Sequence, residues 1–306
     1  SISGDMILLT NPPINLTMVL DQGYWKDSHL TAPSGQALLD DINTTFEYGY
    51  NAVRKHQKVE DERYLYLCDK LGMLVWSEMA NAYAFTDKAV SYFTDEWKKI
   101  VIQNHNHPSI ITWVPFNESW GFSNLGSNVN EQNFANSMYL FTKVLDPTRP
   151  VVSNDGWQQV MTDIITIHEY RHDAEEVYNA YTDKDLKILN GQLPYSCNNK
   201  LLADGYKYNG QPVIMSEYGG ITYYKKCNEK GDWGYGGVKS EQDFINKLAE
   251  ITETVEKIPY ISGYCYTQIT DVQQEMNGLL YESREPKFSK EGIMAIKAIN
   301  DRMYNK

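Results

Sequence analysis

Ile110-Ile-Thr-Trp-Val-Pro-Phe116 runs straight into Asn117-Glu118, and this join of an apolar segment to a polar pair decides the reading of the fold. A short run rich in β-branched and aromatic residues, bounded by turn residues, reads as a strand. Upstream of it, Thr86 to Asn104 carries an amphipathic helical pattern that His107-Pro108 closes. A helix leading into a strand that ends in polar residues is the repeating unit of a parallel sheet.

The unit recurs along the chain. Leu16-Thr-Met-Val-Leu20 ends in Asp21-Gln22-Gly23, and Ser34 is placed to cap a helix that reaches about Tyr48. Asn51-Ala-Val53 ends in Arg54-Lys55-His56, and a helix from about Asp61 to Leu71, stopped by Gly72, leads into Met73-Leu-Val-Trp76. Pro150-Val-Val-Ser153, Ile164-Ile-Thr-Ile167, Pro212-Val-Ile-Met215 and Tyr260-Ile-Ser-Gly-Tyr-Cys-Tyr266 bring the strands to eight. Helical patterns cover Glu131 to Leu145, Ser240 to Lys257 and Lys290 to Tyr304. With no G-x-G-x-x-G or phosphate-loop pattern, the alternation predicts an α/β fold, a (β/α)8 TIM barrel over residues 15–306, rather than an open doubly wound sheet. Residues 1–14 read as an N-terminal stub or the remnant of a preceding domain. The irregular stretch from Asp173 to Gly210 is expected to form loops and short helices near the sixth strand, with no chemistry placed there.

Bulk composition narrows the partners. The 306 residues carry 28 basic and 40 acidic side chains, a formal charge of −12 that repels phosphate backbones and anionic lipid, so no nucleic acid and no membrane partner is expected. No apolar run approaches the roughly 20 residues of a bilayer span. The opening Ser1 suggests a processed or excised piece and leaves the compartment open, with the cytoplasm slightly favoured. Aromatic residues make up 13%, including 23 Tyr and 7 Trp, which suits a surface that stacks on sugars as well as an ordinary core. Cys68, Cys197, Cys227 and Cys265 lack any C-x-x-C spacing and read as buried free thiols.

A barrel places its active site at the carboxyl ends of its strands. Those ends carry Asp21-Gln22, Arg54 and His56, Glu78, Asn117-Glu118, Asn154-Asp155, His168 and Tyr170, Glu217, and Gln268. Glu118 and Glu217, after strands four and seven, would face each other across the mouth. Glycoside hydrolysis needs such a pair, one carboxyl to protonate the leaving oxygen and one to attack or stabilise the oxocarbenium-like carbon. Trp120 and Trp157, both beyond strand ends, are candidate stacking platforms, whereas Trp76 reads as core. The Gly231-Asp-Trp-Gly-Tyr-Gly-Gly237 loop either covers a subsite or is a plain surface loop.

Asn106-His-Pro-Ser-Ile-Ile-Thr-Trp-Val-Pro-Phe-Asn-Glu118-Ser-Trp120 resembles the acid/base signature of glycoside hydrolase family 2. Pro212-Val-Ile-Met-Ser-Glu217-Tyr-Gly-Gly220 is similar to that family's nucleophile strand, and Asn51-Ala-Val-Arg54 to its second strand. The resemblance implies a retaining β-glycosidase with Glu217 as nucleophile and Glu118 as acid/base. It further implies Asn117 on the sugar 2-hydroxyl, Arg54 beside Glu217, and Tyr170 or His168 as a donor to that carboxylate. His56, Trp120, Trp157 and Gln268 complete the expected carbohydrate-binding set. Family members carry a sugar-binding β-sandwich and an immunoglobulin-like domain before the barrel, so such domains are expected in the full-length protein.

Departures from the family pattern bear on the sugar. Family β-galactosidases that bind magnesium use acidic and His residues after the third strand. Here Glu78-Met-Ala-Asn81 lacks the histidine, so neither metal nor other cofactor is expected. Of the Asn-x-Lys spacings that family β-glucuronidases place after the nucleophile, Asn198-Asn-Lys200 precedes Glu217 in the chain and Asn228-Glu-Lys230 follows it. The run Tyr266-Thr-Gln-Ile-Thr-Asp-Val-Gln-Gln-Glu275 replaces the tryptophan of better-known β-galactosidases. β-Galactosides come first as expected substrates, ahead of β-glucuronides and β-mannosides. The rival readings are a non-catalytic carbohydrate-binding barrel and an inverting hydrolase.

Overall fold

A computed structural model describes residues 1–9, 12–223 and 231–304. Seven strands form one parallel sheet: β1 (Leu16–Asp21), β2 (Ala52–Lys55), β3 (Leu74–Glu78), β4 (Ile110–Val114), β6 (Ile165–Glu169), β7 (Val213–Gly219) and β8 (Ile261–Thr267). Their order, β4-β3-β2-β1-β8-β7-β6, is that of a barrel unrolled at one seam. The short strand β5 (Asn154–Asp155) fills the seam by pairing with Phe116–Asn117 beyond β4, and Val151 bridges Trp113 below it.

The fifth strand therefore differs from the expected Pro150 to Ser153 run, and the reason lies in its backbone donors. Val151 N–H donates to Asp163 Oδ2 at 2.9 Å and Ser153 N–H to Thr162 Oγ1 at 3.3 Å, so loop side chains take hydrogens that a ladder would use. No helix joins β5 to β6. In its place the Gln159 side-chain amide pairs with the backbone of Thr166, donating at 2.8 Å and accepting at 3.0 Å, as a neighbouring strand would.

Helices α1 (Gly35–Glu47), α2 (Glu62–Leu71), α3 (Asp87–Asn104), α4 (Val129–Leu145), α5 (Ala174–Tyr181), α6 (Glu241–Lys257) and α7 (Lys290–Tyr304) surround the sheet. Ser34 caps α1 by accepting from Ala37 N–H, and Gly72 ends α2 in a left-handed conformation at φ 81°. The helices bury Ile42, Leu65, Trp97, Met138, Leu248 and Ile296 against Val19, Val53 and Val75 on the outward faces of the strands. Alternate residues point inward, where Leu16, Met18, Leu20, Leu74, Trp76, Val152, Ile164 and Ile214 fill the barrel.

The first residues close the bottom of that interior. Ile2–Ser3 pairs with Met6–Ile7 in a small antiparallel hairpin, Ile7 is buried among the interior side chains, and Ser262 near the start of β8 donates to Asp5 C=O. The Asp173 to Gly210 stretch holds α5 and a second hairpin, Pro194–Ser196 with Asn199–Lys200. Among the cysteines Cys68 and Cys265 are buried as expected; Cys197 is exposed at the turn of that hairpin, and Cys227 lies outside the described residues. Among the described residues no helix is long and apolar enough to cross a membrane. Ile7→Ala is expected to lower unfolding stability by about 2 kcal/mol, as a buried aliphatic truncation does; denaturant titration reads it, and an unchanged midpoint would show that the hairpin does not seal the barrel.

Candidate active site

Arg54 sits at the centre of the barrel mouth because Ala52, two residues earlier on β2, faces inward and alternation carries Arg54 to the same side. Its guanidinium is fully buried. Nε lies 2.9 Å from Glu78 Oε2 and 2.8 Å from Asp155 Oδ2, Nη1 donates to Glu217 Oε1 at 2.7 Å, and Nη2 to Asn117 Oδ1 at 2.7 Å. Burial opposes its charge, but Asp155, Glu78 and Glu217 hold its pKa well above the ordinary value. Glu78 is pushed up to about 7, first by burial, which the Arg54 charge offsets only in part.

Glu217 reaches the mouth through a break in the strand rhythm. Ile214 and Ser216 face inward, so regular alternation would turn Glu217 outward; the register of β7 shifts against both neighbours at this point, and the irregularity returns Glu217 to the mouth. Its second oxygen accepts from Tyr170 Oη at 2.5 Å, and Tyr170 Oη in turn accepts from the Thr267 hydroxyl at 3.0 Å. Tyr170 stacks on Tyr235 with centroids 3.5 Å apart and planes at 7°. Gly220 permits the stack, since a Cβ there would come within 2.4 Å of the Tyr235 ring.

Glu118 is presented by another departure from regular backbone. Glu118 and Ser119 have φ of 54° and 57°, in the left-handed region that side chains other than glycine seldom adopt. Glu118 N–H bonds to Asp155 C=O at 2.8 Å and Ser119 N–H to Asn154 Oδ1 at 3.0 Å, which hold the turn. The Glu118 carboxylate meets His168 Nδ1 at 2.7 Å and the indole N–H of Trp120 at 3.2 Å. Asn81 pins the same turn by donating to Asn117 C=O and Trp120 C=O.

His168 is fully buried between the two carboxylates, its Nδ1 3.4 Å from Glu217 Oε2 and its Nε2 3.5 Å from Asp155 Oδ2. Burial alone would lower its pKa, yet Glu217 and Asp155 overcome this and hold it up to about 10. His56 goes the other way, down to about 4, through burial and the Arg54 charge. A neutral His56 accepts from Arg54 Nη2 at 3.2 Å on Nδ1, so its 3.6 and 3.7 Å approaches to Glu78 and Glu217 are not ion pairs.

Ligand atoms of Glu118, His168 and Glu217 lie within 4.8 Å of one another, close enough to surround a metal ion. His168 Nδ1 is already hydrogen-bonded to Glu118 at 2.7 Å, and the trio reads as a hydrogen-bonded group. Two carboxylates within 4.8 Å, one ion-paired and one held by His168 and an indole, can perform double displacement on a glycoside.

Comparisons with known proteins identify the family and the fold. The model of glycosyl hydrolases family 2, TIM barrel domain, matches residues 24–299. The chain belongs to this family. A β-galactosidase of Leuconostoc mesenteroides is 27% identical over 284 residues, which is 87% of this chain and 24% of that protein. A β-glucuronidase of Homo sapiens is 27% identical over 198 residues, 60% of this chain and 28% of that protein. In solved structures the fold is shared with a family 2 β-galacturonidase from Eisenbergiella tayi bound to galacturonate (TM-score 0.76, 21% identity, 98% of this chain and 53% of that one). It is shared too with a β-glucuronidase from Bifidobacterium dentium (TM-score 0.75, 18% identity, 99% and 48%). The chain thus spans about a quarter of the curated relatives' length and about half of the solved chains.

Within this family 2 barrel, Arg54, His56, Asn117, Glu118, His168, Tyr170 and Glu217 converge as one cluster. Trp120 stands at the rim, 60% exposed, whereas Trp157 is only 8% exposed and meets the His168 ring edge-on, so it props that ring instead of offering an open platform. Gln268 is buried and bonded to Gln22 and Asn277. Asp155 and Glu78 were visible as strand-end acids, but their service to Arg54 is spatial. Tyr235 brings the Gly231 to Gly237 loop into the site, and Tyr195, from the stretch given no chemistry, donates to Gly156 C=O and accepts from His168 N–H. Because its folded pKa is raised, His168 contributes stability that is complete below pH ~6.5 and lost as pH rises through about 10. Imidazole ¹H–¹⁵N NMR at pH 8 should show His168 doubly protonated; a neutral-ring pattern would contradict the charge assignment.

Proposed function

We propose that this family 2 barrel is the catalytic domain of a retaining exo-β-glycosidase that removes terminal β-linked sugars by double displacement. The observation that carries the reading is that one oxygen each of Glu118 and Glu217 lie within 4.8 Å of one another, nearer the separation of a retaining pair (about 5–5.5 Å) than that of an inverting pair (about 6.5–9.5 Å). Glu217 attacks the anomeric carbon while Glu118 gives its proton to the departing oxygen. Glu118 then takes a proton from water, which displaces Glu217 with the original anomeric configuration restored.

The surrounding residues fit these roles. Arg54 and Tyr170 hold the two Glu217 oxygens in place for attack. Asn117 gives its oxygen to Arg54, and its buried Nδ2 has no protein partner among the described residues, which leaves a hydrogen for the sugar 2-hydroxyl. His168, as a cation shared by both carboxylates, moderates their repulsion as charge passes from one to the other. β-Galactosides are the first substrates to test, since the β-galactosidase relative aligns with 87% of the chain. β-Sandwich domains preceding the barrel in the full-length protein would account for the relatives' extra length.

A panel of p-nitrophenyl β-glycosides, run on this chain and on a longer form carrying any flanking domains, tests the reading. Glu217→Gln should lower kcat by at least roughly 10⁴-fold with the fold intact, and persistence of hydrolysis would remove Glu217 from its role. Glu118→Ala should cost roughly 10²–10⁴-fold on poor leaving groups and much less on activated ones, where protonation is dispensable. NMR of the first-formed sugar should show the β anomer; initial α product would exclude a glycosyl-enzyme.

A further inference from the structure

Across the mouth from Asn117, four strands away around the barrel, the ends of β1 and β8 build a closed polar ring. Gln22 Nε2 donates to Gln268 Oε1 at 3.0 Å and to Glu275 Oε2 at 3.1 Å; Gln268 Nε2 donates to Asn277 Oδ1 at 2.8 Å; Asn277 Nδ2 donates to Glu275 Oε1 at 3.0 Å. Each Glu275 oxygen thus receives one amide hydrogen and keeps acceptor capacity for another donor. Glu275 is half-buried, and no described cation pairs with it.

The ring is tied to the reacting carboxylates. Trp233 N–H donates to Gln274 C=O at 2.8 Å and Met276 N–H to Trp233 C=O at 2.9 Å, which join the Glu275 segment to the loop whose Tyr235 stacks on Tyr170. Glu275 and Glu217 are near enough to feel each other: burial raises the Glu275 carboxyl, and the Glu217 charge adds to the rise.

Described cations near the mouth are already engaged. Arg54 is buried behind its acceptors. Lys287 Nζ donates to Asp271 Oδ1 at 2.6 Å and to Met276 C=O at 3.2 Å, and Lys58 donates to Gly23 C=O at 2.7 Å. Arg284 lies 3.9 Å over the Trp25 ring beside Asp41, and Lys200 sits on the surface by Asp204. A negatively charged sugar would meet Glu275 and Glu217 with none of these side chains free to balance it.

We infer that Glu275 is the glycone-specificity residue: it accepts a hydroxyl hydrogen from the ring edge of a neutral hexoside remote from the cleaved bond, and it excludes uronic acids. The inference rests on the glycosidase reading and deepens it. It separates this chain from the β-glucuronidases and β-galacturonidase that share its fold.

Binding tests it independently of turnover. Isothermal titration calorimetry compares D-galactono- and D-glucono-1,5-lactam, each beside its counterpart with a C6 carboxylate. At least one neutral lactam should bind on the order of 100-fold more tightly than its carboxylate partner. Glu275→Gln, which keeps the shape and removes the charge, should shrink that ratio below about 10-fold, and Glu275→Asp should weaken the neutral lactam while preserving the preference. Removing single hydroxyls from the preferred lactam should expose one position whose loss costs the wild type but not Glu275→Gln, a coupling that a merely structural role would not produce. Equal or tighter binding of the carboxylates, an unchanged ratio in Glu275→Gln, or no binding of any lactam overturns the inference. Hydrolysis of uronides that depends on Glu217 would sink the neutral-sugar assignment alone, whereas absent hydrolysis with the neutral preference intact would sink the glycosidase reading alone.

Discussion

One buried guanidinium organises the mouth of this barrel. Arg54 contacts Glu78, Asp155, Glu217 and Asn117, groups delivered by β3, β5, β7 and the end of β4. A charge so deeply buried is tolerable only with its partners in place, and loss of one partner of a buried pair typically costs about 3–5 kcal/mol. Three carboxylates around one cation still leave an excess of negative charge. Two features relieve it: Glu78 is pushed up to about 7, chiefly by burial, and His168 is held as an imidazolium between Glu118, Glu217 and Asp155. Folding and the proposed chemistry consequently use the same electrostatic balance.

The two proposed reacting acids are both placed where regular structure fails. Glu217 needs the shifted register of β7, and Glu118 needs two successive left-handed residues. Each irregularity is held by hydrogen bonds and ion pairs from other elements: Asp155 and Asn154 on the Glu118 turn, Arg54 and Tyr170 on Glu217. Backbone strain of this kind persists only where surrounding structure over-determines it. The opposite end of the barrel is regular and apolar, sealed by the hairpin that contributes Ile7. Stability is thereby concentrated at the bottom and polar groups at the top.

Much of the fold was legible in the chain because helices and strands leave periodic traces that need no partner to be seen. Ser34, Gly72 and the joins at Asp21, Arg54, Glu78 and Glu118 announced their elements locally. The fifth strand was misplaced because Asp163 and Thr162, from the following loop, capture its backbone donors, and the missing fifth helix is replaced by a single Gln159 amide. Cys197 was read as buried on general habit and lies exposed in a hairpin turn that no periodicity marked.

The sequence by itself determined the family, the barrel, and which strand ends carry Glu118, Glu217, Arg54, Asn117, His168 and Tyr170, because short motifs and strand ends are properties of neighbours along the chain. Only the tertiary structure decided that Asp155 and Glu78 serve Arg54, that His168 is charged while His56 is neutral, that Trp157 is a prop and Trp120 a rim residue, and that Tyr235 and Glu275 reach the mouth at all. Those properties depend on burial and on distances between residues tens to hundreds of positions apart, and electrostatic energies change steeply with both.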